Sequence, residues 1–437
     1  MNSSVKPADT AGHNGVAIEK QVYSEPGFRS YEVYQRQRVG ASTEKINGSE
    51  LASADYARNP LPPLAILREH YPCYRDWINN CYWITRYDDV TSIFTDEANF
   101  ATRSKRWYYG LPDFGNDLGA ELPVLSAWSA ATDRYAADVA NQLLEGMPAT
   151  GFDFATDFAA RYPIMLLARI LDLPEADVET FALRYWQMQQ GVGWHGPTQV
   201  QGHAALQALT DYFEPLLEAR RAGAGEDLIS VVAQLGGSAE DLVATLLEAD
   251  HQTMHGALAN LWQLLLTHPD DLATIGKDRR LLKIAYLESL RYAPPVITTE
   301  RFARHEVERF GTLIPKGALL RLSSLAANRD PRQFSEPDRF IADRRDLCHR
   351  EARGQYRADG LPTGITFGLG PPTKHPAVPE DRPRSAFALT RDTVVTASAI
   401  VLERLSGLRL ASGSTPTLRS LRVGDLYTCW ELPVQYD

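Results

Sequence analysis

The chain has 437 residues, room for one large core or for two to three average domains. Its 44% hydrophobic and 23% charged content is ordinary for a globular chain, and 45 basic against 55 acidic residues leave a net charge of -10. That balance disfavours a nucleic-acid partner or an anionic membrane surface. No apolar run reaches the length of a membrane span, and the N-terminus lacks the basic-then-apolar order of a secretion signal. The expectation is a soluble, cytoplasmic protein with no membrane or nucleic-acid partner.

Residues 1 to about 45 are polar, with few apolar clusters, and read as a flexible leader. The remainder, 46–437, shows no repeat or linker and reads as one domain. Cys81 to Tyr87 is rich in strand formers, and Asp88-Asp89-Val90 opens a helical segment. Phe158 to Leu171 and Ala204 to Arg221 carry apolar residues three and four apart. The longest expected helix runs from Ala239 to Thr267. Ser238 and Asp241 form its capping box, and Pro269 lies just beyond its end. Apolar positions on several faces place it in the interior. Another helix, Arg279 to Tyr292, stops at Pro294-Pro295. Short strands and turns come next, over Phe310 to Gly317 and Ala318 to Leu325. A last helix, Ser385 to Leu405, leads into strand-like pieces up to Asp437. The class is mainly α with a small β portion.

Cys73, Cys81, Cys348 and Cys429 are scattered without metal-type or disulfide-type spacing and read as free thiols. His251 and His255 share a helix face at i, i+4, but Gln252 stands where a zinc-protease pattern needs glutamate, so the pair reads as packing. Glu288 and Arg291 lie three apart on one helix face and can pair. Alone, such a pair is common on solvated surfaces.

The motifs downstream of Glu288 and Arg291 make the pair specific. Arg301, Ile314-Pro-Lys-Gly317, Ala327-Asn-Arg-Asp-Pro331, Glu336-Pro-Asp-Arg-Phe340 and Thr366-Phe-Gly-Leu-Gly370 come in that order. The series resembles the C-terminal half of a bacterial cytochrome P450. Weaker collinear matches at Thr85 to Val90 and at Leu246 to Pro269 extend the resemblance over about Pro60 to Val434. The resemblance implies the cytochrome P450 fold, with Glu288, Arg291 and Arg339 as a structural ion-pair cluster. It also implies Arg134 and Arg301 as contacts to haem propionates, and Gln252-Thr253 at the proton-relay positions over the haem.

The chain departs from that pattern at the positions that carry oxygen chemistry. The family's iron is bound by a cysteine thiolate in the loop before the last helix. Here the loop reads Phe367-Gly-Leu-Gly-Pro-Pro-Thr-Lys-His-Pro376, with Lys374 at the cysteine position. A lysine ammonium, with a reference pKa of about 10.4, is a poor iron ligand. His375 is the better donor chemically, one residue out of register. Ala130 stands four residues before Arg134, where the family has a histidine. Gln252 replaces the relay acid, and an amide does not deliver protons as a carboxyl does.

Two functional expectations arise. The first is a protein of specialised small-molecule metabolism that works without haem or any other cofactor. It would be an auxiliary partner of a biosynthetic enzyme, or a non-oxidative catalyst using Thr253, Gln252, His255 and Lys374 around a small hydrophobic molecule. The alternative is a haem-dependent oxidoreductase with unusual iron ligation, using Arg134, Arg301, Lys374 and His375 around the cofactor.

Overall fold

Residues with apolar side chains three and four apart fold this chain mostly into helices, with a few short strands. The computed structural model describes residues 45–111, 118–148, 150–192, 196–249, 251–349, 361–366, 385–421 and 426–437. Residues 1–44 of the expected leader lie outside them. The principal helices are α1 (Tyr87–Phe94), α2 (Lys105–Tyr108), α3 (Leu118–Glu145), α4 (Arg161–Ile170), α5 (Val178–Gln190), α6 (Gly196–Arg220), α7 (Ala239–Glu248), α8 (His251–Thr267), α9 (Arg280–Tyr292) and α10 (Ala386–Arg404). Among the described residues no helix is long and apolar enough to cross a membrane.

A five-stranded sheet joins β1 (Tyr74–Asp76), β2 (Cys81–Ile84), β3 (Phe100–Ala101), β4 (Thr298–Ala303) and β5 (Leu319–Ser323) in the order β1-β2-β5-β4-β3. The β2–β5 pair is parallel, with Cys81 opposite Leu319, and the other pairs are antiparallel. Between β4 and β5 a small hairpin pairs Val307–Arg309 with Thr312–Ile314, turning at Phe310 and Gly311, whose φ angles are 54° and 70°. Two positive φ angles in a two-residue loop match the twist of the flanking strands. Near the C-terminus β6 (Thr417–Leu421) pairs with β7 (Leu426–Glu431).

Helix α8 forms the axis of the core. Fourteen of its residues are buried, and the indole nitrogen of Trp262 donates to the Ser398 hydroxyl of α10 at 3.1 Å. Asn260 ties the same helix to the sheet side, donating to Ala293 O and Tyr427 O and accepting from Cys429 N, each at 2.9 Å.

Two expectations about helices change. The segment from Phe158 starts with a π-turn, Phe154–Ala159, and becomes α-helical only at Arg161. The single long helix expected over Ala239–Thr267 is two. The capping box of Ser238 and Asp241 forms, but Ala249 leaves the helix with ψ 139°. The cause is tertiary. Buried Gln189, on α5, donates its amide to the carbonyls of Leu246, Leu247 and Ala249 at 3.2, 3.0 and 2.8 Å. Carbonyls satisfied from the side do not need the next helical turn.

Candidate functional site

A fully buried pair of opposite charges lies on α9. Glu288 and Arg291 have no exposed surface and pair in both prongs, Nε to Oε2 at 2.7 Å and Nη2 to Oε1 at 2.8 Å. Spacing of three on a helix sets the pair, and the fork geometry of guanidinium makes it bidentate. Arg291 also donates to the carbonyls of Asn328, Pro337 and Arg339. The second cation on Glu288 is Arg344, whose Nε stands 3.0 Å from Oε2. This corrects the expectation for Arg339. The Arg339 guanidinium is 68% exposed and pairs with Glu336, so only its carbonyl reaches the cluster.

This cluster seats the stem of the expected ligand loop. Asn328 accepts from Ile365 N and donates to Ile365 O, both at 2.7 Å. Tyr87 exchanges its hydroxyl with Thr363 N and O, and Thr366 Oγ1 donates to Leu290 O at 3.2 Å. A Cβ on Gly364 would sit 3.2 Å from the Cα of Arg291, so the stem needs glycine to lie this close to α9. Lys374 and His375, downstream of this stem, lie outside the described residues.

The relay positions are the first turn of α8. Gln252 and Thr253 are buried beside the interruption at Ala249. His251 packs against Tyr185 with ring centroids 4.8 Å apart, whereas His255 turns to Trp430 at 5.2 Å. Burial, partly offset by a backbone hydrogen bond at Ala155, lowers the pKa of His255 to about 4 and keeps its imidazole neutral. The two histidines thus face different neighbours. Among the described residues no group of three or more His, Cys, Asp or Glu could hold a metal.

Arg301, on β4, is half-buried over the Phe94 ring at 4.6 Å and donates to Glu300 O. Desolvation, partly offset by the charge of Glu97, lowers its pKa to about 10. Arg134 behaves differently. On α3 its exposed guanidinium pairs with Glu226 at 3.0 Å, which removes it from the candidates for a buried carboxylate. The four cysteines are free, and none lies within residues 361–384. Burial pushes the thiols of Cys73 and Cys429 up to about 12, and that of Cys81 higher still.

The cytochrome P450 family model matches residues 276–347, the stretch that holds Glu288, Arg291, Asn328 and Arg344. The chain is 30% identical over 338 residues to the Cyclomarin C epoxidase CymV of Salinispora arenicola, covering 70% of this chain and 82% of that protein. The chain belongs to the cytochrome P450 superfamily. The Vitamin D(3) 25-hydroxylase of Pseudonocardia autotrophica is 27% identical over 416 residues, covering 86% of this chain and 99% of that one. Among solved structures, the Bacillus subtilis cytochrome P450 PksS superposes with a TM-score of 0.71 at 22% identity, over 89% of this P450 and 99% of PksS.

These relatives overturn the expectation that the chain works without a cofactor, because the P450 family to which they belong is a family of haem proteins. Arg301, a desolvated cation beside the Phe94 ring, has the chemistry that a haem carboxylate would require. Residues 361–384 contain no cysteine. Sequence reasoning missed Arg344, Asn328, Tyr87 and Gln189. Asn328 was visible inside the Ala327-Asn-Arg-Asp-Pro331 motif. The other three act through long-range hydrogen bonds or packing that no local pattern announces.

Proposed function

We propose that this P450 is a haem-dependent oxidoreductase of specialised small-molecule metabolism, in one domain over 46–437, whose iron is held by a ligand other than cysteine. The observation that carries the reading is the match to CymV, an epoxidase, over most of both chains. The P450 monooxygenase PikC of Streptomyces venezuelae, 33% identical over 230 residues, supports the same reaction class. The substrate is a small hydrophobic molecule. A biosynthetic partner that presents it is part of the same reading, by analogy with P450BioI, whose structure contains a ligated acyl carrier protein.

Haem, when bound, supplies the redox centre. Arg301 would hold a propionate carboxylate by a charge-assisted hydrogen bond. Lys374 and His375 are the candidate iron ligands of the loop. The Gln252 amide orients neighbours through hydrogen bonds without titrating, so a proton moving through this site passes over the Thr253 hydroxyl, which both donates and accepts.

The test is haem stoichiometry and ligation in protein expressed with ample haem precursor. The reading expects about one haem per chain and a reduced carbon-monoxide spectrum without the thiolate-type band. It expects His375→Ala or Lys374→Met to shift the Soret maximum. Protein that retains no haem overturns it.

A further inference from the structure

We propose that Gln189 is a positioning residue for the site on α8, holding the central helix open at Ala249 while Lys105 fixes the orientation of its amide. Gln189 lies on α5 and is buried. Its Nε2 donates to Leu246 O, Leu247 O and Ala249 O, and its Oε1 accepts from Lys105 Nζ at 2.8 Å. With an ammonium on one side and three carbonyls on the other, only one orientation of the amide satisfies both ends. Tyr185, one turn earlier on α5, donates its hydroxyl to Ala249 O at 2.9 Å and packs its ring against His251. From α2, Arg106 N donates to the Glu248 carboxylate at 3.2 Å, so both residues that open α2 are bonded into the interruption.

The consequence concerns Gln252 and Thr253. A continuous helix would fix their directions by the register of α7. Because the helix is interrupted, α8 starts at His251 as a separate helix, and its direction is not carried over from α7. The direction in which Gln252 and Thr253 point is therefore set by where Gln189 holds the end of α7. Residues on α2 and α5, outside the relay, govern the relay's geometry. A shift of α2 moves Lys105, and through the Gln189 amide it moves the interruption.

The inference takes from the proposed function only that Gln252 and Thr253 face the reactants. Its test needs neither cofactor nor substrate, so the two readings fail separately. Amide hydrogen exchange is followed on the full chain by mass spectrometry, comparing peptides over 246–254 with control peptides over 285–292 and 390–404. Gln189→Leu removes the donor. Exchange at 246–254 should accelerate roughly tenfold, the scale of one buried carbonyl set losing its partner, while the controls stay unchanged. Gln189→Asn, one methylene shorter, should act in the same direction and covers the case in which the leucine variant does not fold. The Gln189→Lys and Lys105→Gln pair exchanges the two ends of the contact. Each single substitution should accelerate exchange, and the double variant should return it to within about twofold of the parent, because donor and acceptor are restored in swapped places. Parent-like exchange in Gln189→Asn, equal acceleration in the control peptides, or a double variant no slower than its singles would each overturn the proposal.

Discussion

Glu288 has two buried arginines on one carboxylate, and the net charge of the trio is positive before the surrounding carbonyls are counted. Those carbonyls come from Asn328, Pro337 and Arg339 for Arg291, and from Ser335, Glu336 and Arg339 for Arg344. Removing Arg344 strands half of that arrangement in the interior, so Arg344→Ala should cost about 3–5 kcal/mol. Arg339→Ala removes an exposed pair with Glu336 and should cost less than about 1 kcal/mol. Urea unfolding of the two variants checks the assignment, and a reversed order would return Arg339 to the cluster. The sequence could not separate them, because the residues from Arg339 to Arg344 form turns with no periodicity to say which arginine points inward. His255 offers a second test. Its folded pKa of about 4 lies below the unfolded value of about 6.5. The unfolded chain therefore binds a proton first, and the stability from this neutral imidazole is present above pH 6.5 and lost as pH falls toward 4. His255→Leu should flatten the fall in melting temperature between pH 6.5 and 4. A slope equal to the parent's would show that the ring titrates freely in the folded state.

At the scale of elements, helix boundaries set by caps and prolines were legible, while those set by distant side chains were not. Ser385 caps α10 by accepting from Ala388 N, as the start expected at that residue requires. Nothing in Ala239–Thr267 marks a stop near Ala249, since the donors that open it come from about sixty residues earlier. The candidate site was legible in part for the same reason. Arg301 sits on a strand whose neighbours bury it, whereas Arg134 was aligned by a helix motif and turns to solvent. The stem over 361–366 is an element that only the structure identifies. It forms no strand among the described residues, and apart from Pro362 O, which accepts from Cys348 N at 2.8 Å, its backbone bonds go to the side chains of Asn328 and Tyr87. Asn328→Ala would leave Ile365 N and O unpaired in the interior, at a cost of about 1–3 kcal/mol for each buried group left without a partner. The expected outcome is a lower melting temperature together with reduced haem retention. Unchanged retention would show that the stem does not position the loop.

For the whole molecule, the mainly α architecture and its P450 topology followed from the order of motifs late in the chain. The cofactor did not, because the expectation rested on three positions, Lys374, Ala130 and Gln252, and the relatives speak for the whole fold. A ligand that binds only the folded state stabilises it by mass action, by about 2.7 kcal/mol when free ligand is a hundredfold above its dissociation constant. Titrating haem into the purified protein should therefore raise its melting temperature in a concentration-dependent way. A flat response up to a large excess would sink the haem reading for this chain.

The way the loop stem is held has an evolutionary corollary. Asn328 and Tyr87 grip Ile365 and Thr363 through main-chain atoms, and Gly364 is constrained only by its lack of a side chain. Among the described residues, that grip uses no side chain beyond residue 366. Selection on fold stability and selection on the iron's donor atom therefore act on separate residues. A scaffold of this kind can change its metal chemistry by drift at one position while its heritable architecture stays the same.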